Sequence, residues 1–200
     1  MKNNLPYLAL VLGIAMVILA LLSWIITAVM PDIAMRSLLG AEGIRWFFGH
    51  FVENMANPLL VWLVLGTVAY GANMNSGFLV KLRDIRGPKS YRERVALRIV
   101  AVEVGIFILI LALLTLVPQA ILLSVTGSLF PSSFSKSLVP AICFILTVGG
   151  ATYGIVSGRY HSVKDVFRSL TSGFHECSSL FLFYILAAEL YFSIRFVFQI

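Results

Sequence analysis

From Leu5 to Met30 the chain runs for 26 residues without a charged side chain. At 1.5 Å rise per residue this makes a helix of about 39 Å, more than a hydrocarbon core of about 30 Å requires. A cleaved signal peptide would carry an apolar region roughly half as long, closed by a small-residue cleavage site, so the run reads as a retained span. Composition extends this to the whole chain: 60% of residues are hydrophobic and only 12% charged. Soluble domains carry about a quarter charged residues. With a mean hydropathy of +0.95 the 200 residues form one integral membrane domain, all-α and polytopic.

Five spans are expected, at about 5–30, 58–72, 95–117, 137–156 and 178–198, with interfacial amphipathic helices at about 41–55 and 162–174. In the first amphipathic segment Ile44, Phe47, Phe48, Phe51 and Met55 recur at helical spacing, and Trp46 suits the headgroup level. The same pattern also suits a helix packed on a neighbouring subunit. In the second, Ser162 stands three residues before Asp165, a capping-box-like start to the stripe Val163, Val166, Phe167, Leu170 and Phe174. Glycines cluster at Gly66, Gly71 and Gly77 and again at Gly149, Gly150, Gly154 and Gly158, which suits close helix packing or a helix break near a solute path.

The strongest polar feature is the block from Lys81 to Arg98, where Lys81, Arg83, Arg86, Lys89, Arg92, Arg94 and Arg98 face only Asp84 and Glu93. Between two apolar runs and without interleaved aromatics, it is a topological anchor and not a nucleic-acid patch. If its loop is cytoplasmic, 11 of the 15 basic residues lie inside and 4 outside, so the N-terminus is expected inside and the C-terminus outside. The net charge of +6 then faces anionic lipid.

No nucleophile–base pair, metal cluster, phosphate-binding loop or dinucleotide fingerprint occurs, so neither an enzyme nor a cofactor is expected. Cys143 and Cys177 lack motif spacing and read as packing residues; His50, His161 and His175 fall on interfacial segments. Glu103 and Glu189 lie well inside spans and approach the midplane. An ionised carboxylate there costs at least about 2.5 kcal/mol, so each must be protonated, paired or facing water. Entering from the same face, they are a candidate relay or a structural polar pair.

Three stretches carry a resemblance. SLLGAEGIRWFFGHFVENMANPLL, from Ser37 to Leu60, contains Glu42, Gly43, Arg45, Trp46, Asn54 and Pro58. GANMNSGF contains Gly71, Ser76 and Gly77. TYGIVSGRYHSVKDVFRSLTSGF, followed by LAAELYF, contains Tyr153, Gly154, Gly158, Ser162, Lys164 and Asp165. They resemble, in turn, the SLLSxEGIRW, GVAERSGL and VYGxxxGxxKSxKDV…FFAAQF patterns of the AbgT family of p-aminobenzoyl-glutamate transporters. Glu189 stands where that last pattern has glutamine. The resemblance implies ion-coupled transport of aminobenzoyl-glutamate or a similar small organic anion. It also implies a shortened member: only the 16 residues from Leu79 to Arg94 stand where the family pattern would place a re-entrant hairpin and further helices, and a second hairpin would follow Ile200.

Partners are therefore expected to be the lipid bilayer, a homo-oligomer or second membrane subunit, an organic anion and a coupling ion, with no nucleic acid, in the inner membrane. The alternative is a scaffold or accessory subunit that does not transport. A reporter fused after Gly87 is expected to read cytoplasmic, and reporters after Ser128 or Ile200 external; an external reading at Gly87 would overturn the orientation.

Overall fold

The computed structural model describes residues 5–30, 32–84, 90–116 and 133–199. Arg86 and Lys89 of the basic block, and the connection expected after the third span, lie outside them. The described residues form eight helices and no strand: α1 Leu5–Val29, α2 Ala41–Met55, α3 Pro58–Ser76, α4 Phe78–Arg83, α5 Tyr91–Leu116, α6 Ser133–Val156, α7 Val163–Glu176 and α8 Ser178–Phe198. α1, α3, α5, α6 and α8 are long and apolar enough to cross a membrane. Large apolar side chains such as Leu10, Val17, Ile108 and Leu113 are exposed, while Ser23, Thr67, Asn73, Ser76 and Ser193 are buried. That inversion of the soluble pattern suits a hydrocarbon solvent, and the chain is an all-α multi-pass membrane protein.

Two compact units are formed, Met1–Val61 with Cys177–Ile200, and Trp62–Glu176. In the first, α8 packs on α1 and α2. Ser23 Oγ, buried in α1, donates to Ala20 O at 2.9 Å and accepts from Leu38 N–H at 3.1 Å, pinning the α1–α2 connection. Arg36 N–H donates to Val197 O at 3.0 Å, which ties the same connection to the end of α8. Leu38, Phe196 and Val197 are the buried centre here. Trp46 stacks on Phe196 with centroids 4.4 Å apart, so its ring serves packing within the protein and not only the headgroup level expected for it. The outward face of α2 carries Ile44, Phe48 and Val52, all exposed.

In the second unit α5 and α6 run antiparallel around Phe78, Ala96, Val100 and Tyr153. α5 starts four residues earlier than expected, because Ser90 and Glu93 close a capping box: Ser90 N–H donates to Glu93 Oε2 at 2.9 Å and Glu93 N–H to Ser90 Oγ at 3.3 Å. α3 continues past Ala72 to Ser76 because its polar residues bond back onto helices. Asn73 Nδ2 donates to Ala69 O and, at 2.9 Å, to Leu146 O, and Ser76 Oγ donates to Asn73 O at 3.2 Å. Gly77, at φ +69°, then turns the chain into the short α4, which stands where a plain basic loop was expected. Lys81 in α4 reaches Glu93 Oε1 at 3.1 Å.

α7 turns Val163 and Phe167 outward, 86% and 67% exposed, and packs through its small face, where Ser169 and Gly173 are buried. That face meets α3 backbone to backbone. A Cβ at Gly173 would overlap Thr67 O, and one at Gly71 would overlap Ser169 O. Gly173→Ala is therefore expected to lower the thermal stability of the detergent-purified protein by about 1–3 kcal/mol, as overpacking does. Gly13→Ala, where a Cβ meets nothing within 4 Å, should leave the melting temperature unchanged or raise it slightly.

Candidate functional site

Polar groups that a membrane helix cannot satisfy on its own backbone gather at three places. In the first unit, Glu189 of α8 is 5% exposed, and Ser193, one turn on along the same face, is fully buried. Asn54 of α2 stands close enough to polarise the Glu189 carboxyl, yet its Nδ2, both carboxyl oxygens and Ser193 Oγ lie outside hydrogen-bonding geometry. No cationic side chain pairs with Glu189 among the described residues. Nearby, Tyr184 OH donates to Met55 O at 2.8 Å, which holds the end of α2 against α8.

In the second unit, Glu103 is half-buried on α5, and Thr152 Oγ1 of α6 donates to its Oε1 at 2.9 Å. The other oxygen, Oε2, is buried without a described partner. A cavity of about 40 Å³ lined by Glu103, Phe107, Phe144, Val148 and Gly149 adjoins it. That is room for a water molecule and for little else. The acids expected as one relay or pair thus belong to different units, each with its own neighbours: Thr152 for Glu103, Asn54 and Ser193 for Glu189.

The third place lies at the ends of α3 and α6. Asn75, Arg159, Tyr160, Asp165, Arg168 and Ser169 line a polar cavity of about 200 Å³. Tyr160 OH and Ser169 Oγ are 2.6 Å apart, Ser169 Oγ also donates to Gly71 O at 3.3 Å, and Asn75 Nδ2 donates to Ser172 Oγ. The Arg159 guanidinium lies against Gly77, where a Cβ would overlap it, and a Cβ on Gly154 would overlap the Tyr160 ring.

The motif glycines and their neighbours are thus seats for tertiary contacts. Gly43 lets α2 approach the backbone of Ser37 and Leu38, Gly71 admits α7, and Gly158 takes φ +80° at the turn after α6. Glu42 pairs with Arg36 at 3.5 Å. Pro58 opens α3, where its missing N–H costs nothing. Tyr153 is fully buried against the Phe78 ring, and Ser76 Oγ accepts from Phe78 N–H at 3.3 Å. Arg45 and Lys164 are exposed, as are His50, His161 and His175; His50 lies 3.9 Å from Glu53. Cys143 is buried in α6. Of the site residues not evident from the sequence, two had local signals: Ser90-x-x-Glu93 is a capping box, and Ser193 extends Glu189 into a one-turn polar stripe in an apolar helix. Thr152 and the Arg159–Arg168 pairing had none.

One family model, that of the AbgT putative transporter family, matches residues 81–196. No curated protein and no solved structure matches the chain.

Asp165 caps α7 as expected: Ser162 N–H and His161 N–H each donate to its Oδ2 at 3.0 Å, and its own N–H donates to Ser162 Oγ at 3.3 Å. The His161 N–H, then the Ser162 hydroxyl, hold the carboxyl below the usual aspartate range. A depressed folded-state value stabilises the fold above the unfolded-state value, near 3.9, and that contribution disappears as pH falls through the folded-state value. Acidification below about pH 4 should therefore lower the melting temperature of wild type more than that of Asp165→Asn. Equal acid sensitivity in thermal scans of the two proteins would remove this role.

Proposed function

The chain belongs to the AbgT transporter family, and from that premise we propose that it moves p-aminobenzoyl-glutamate, or a similar small organic anion, across the inner membrane. Transport is coupled to an ion gradient and takes place in a homo-oligomer or together with a second membrane subunit. The N-terminus lies in the cytoplasm in this reading, which the distribution of basic residues supports.

The match over residues 81–196 carries the reading. Glu103 and Glu189 on membrane-crossing helices support the ion coupling, because acids inside a bilayer mark ion or proton pathways. Asn54, Ser193 and Thr152 give these carboxyls neutral polar neighbours, and no cation pairs with either among the described residues, a setting in which a mobile cation can come and go. Glycine-lined approaches such as Gly71 with Gly173 allow helices to shift in small steps with backbone in contact.

The protein should be purified from its native membrane with whatever copurifies and reconstituted into liposomes. Uptake of labelled p-aminobenzoyl-glutamate is expected to saturate and to collapse when proton and sodium gradients are dissipated. Uptake no greater than in empty liposomes under either gradient would leave a scaffold or accessory role.

A further inference from the structure

We propose that the turn holding Arg159 and the first half of α7 form a binding site for the phosphate of an anionic membrane phospholipid, with an acyl chain lying along Val163 and Phe167. Arg159 and Arg168 line one cavity with a single acid, Asp165, and Lys164 borders the adjoining groove; Glu93, which also feels the Arg159 charge, is already paired with Lys81. Asp165 is already engaged by the N–H groups of His161 and Ser162, both at 3.0 Å. Neither guanidinium forms an ion pair among the described residues. Arg159 is held in place by its contact with Gly77, and Arg168 enters the same polar cavity from α7. Two planar, permanently charged donors at one cavity suit the oxygens of a phosphate.

Size and surroundings select a lipid over a soluble anion. The polar cavity, about 200 Å³, is smaller than the roughly 300 Å³ at which ordinary small-molecule pockets begin, so it accepts a headgroup phosphate better than an aromatic amino-acid conjugate. Arg168 also borders a second, open groove of about 500 Å³ formed by Val163, Lys164, Phe167 and Thr171. Val163 and Phe167 are 86% and 67% exposed there, side by side with the cations. An occupant of both spaces needs an anionic head and an apolar tail. The position agrees, because α3 and α6 end here at Ser76 and Val156, so the cavity sits where two spans meet the headgroup layer.

The test is lipid titration of the purified full-length protein in neutral detergent, read by native mass spectrometry, with phosphatidylglycerol and phosphatidylcholine as probes. Wild type should bind phosphatidylglycerol in clear preference. Each basic residue at a membrane surface is worth about 1 kcal/mol, so Arg168→Gln should weaken that binding about fivefold, and Arg159→Gln with Arg168→Gln about thirtyfold. Arg168 is exposed, which keeps the single variant informative should the double variant fail to fold. Arg45→Gln, in the other unit, should bind as wild type. Equal binding of the two lipids, or undiminished phosphatidylglycerol binding by Arg168→Gln, would overturn the site. So would displacement of the lipid by inorganic phosphate or p-aminobenzoyl-glutamate, which would make it a soluble-anion site. None of these readouts depends on transport.

Discussion

The second unit depends on a contact without side chains, the approach of the α7 backbone at Ser169 and Gly173 to the α3 backbone at Thr67 and Gly71. In lipid, burying apolar surface between helices gains little, since the acyl chains are as apolar as the side chains. Association rests on van der Waals contact and hydrogen bonding at short range. Glycine at both Gly71 and Gly173 lets Ser169 Oγ reach Gly71 O, and Tyr160 OH then meets the same hydroxyl. The polar cavity at the end of α3 exists because α7 lies this close. Gly150 beside the backbone of Ala72, and Gly149 beside Val100, apply the same device between α6 and its neighbours.

A second constraint is that hydrocarbon offers no hydrogen bonds, so most hydroxyls turn back on their own helix. Thr27 donates to Ser23 O, Thr115 to Leu111 O and Thr147 to Cys143 O, each four residues away. Against that background the exceptions stand out. Glu189, Ser193 and Asn54 in one unit, and Glu103 Oε2, Tyr153 OH and Asn73 Oδ1 in the other, have polar atoms buried without such a partner. Leaving a polar group unsatisfied costs about 1–3 kcal/mol, a penalty that a merely structural helix contact would be free to avoid.

The basic block acts through its acids as well as through its excess of cations. Glu93 closes the cap of α5 with Ser90 and also receives Lys81 at 3.1 Å, so one carboxylate joins the helix start to α4. That ion pair keeps α4 against the start of α5. Asp165 plays the parallel role at α7, where the His161 and Ser162 N–H groups donate to its carboxyl and its own N–H donates to the Ser162 hydroxyl. At both sites a single acid organises a helix start.

Before any packing is considered, the chain already determines its all-α membrane class, five helices long and apolar enough to cross a bilayer, and the cap of α7. Those properties follow from run length, hydropathy and spacings within one turn, which act locally along the backbone. The sequence also marks Gly43, Gly71, Gly77, Gly154 and Gly158 as special positions, though not what each admits. Only the tertiary structure decided that Trp46 packs on Phe196, that Thr152 serves Glu103, that Asn54 attends Glu189, and that Arg159 and Arg168 share a cavity with Asn75. Apart from Arg159 and Arg168, nine residues apart yet on separate elements, these partners are separated by dozens of residues or more. Their meeting depends on which helix faces approach and how closely, and hydropathy cannot specify a face when every outward surface is equally apolar.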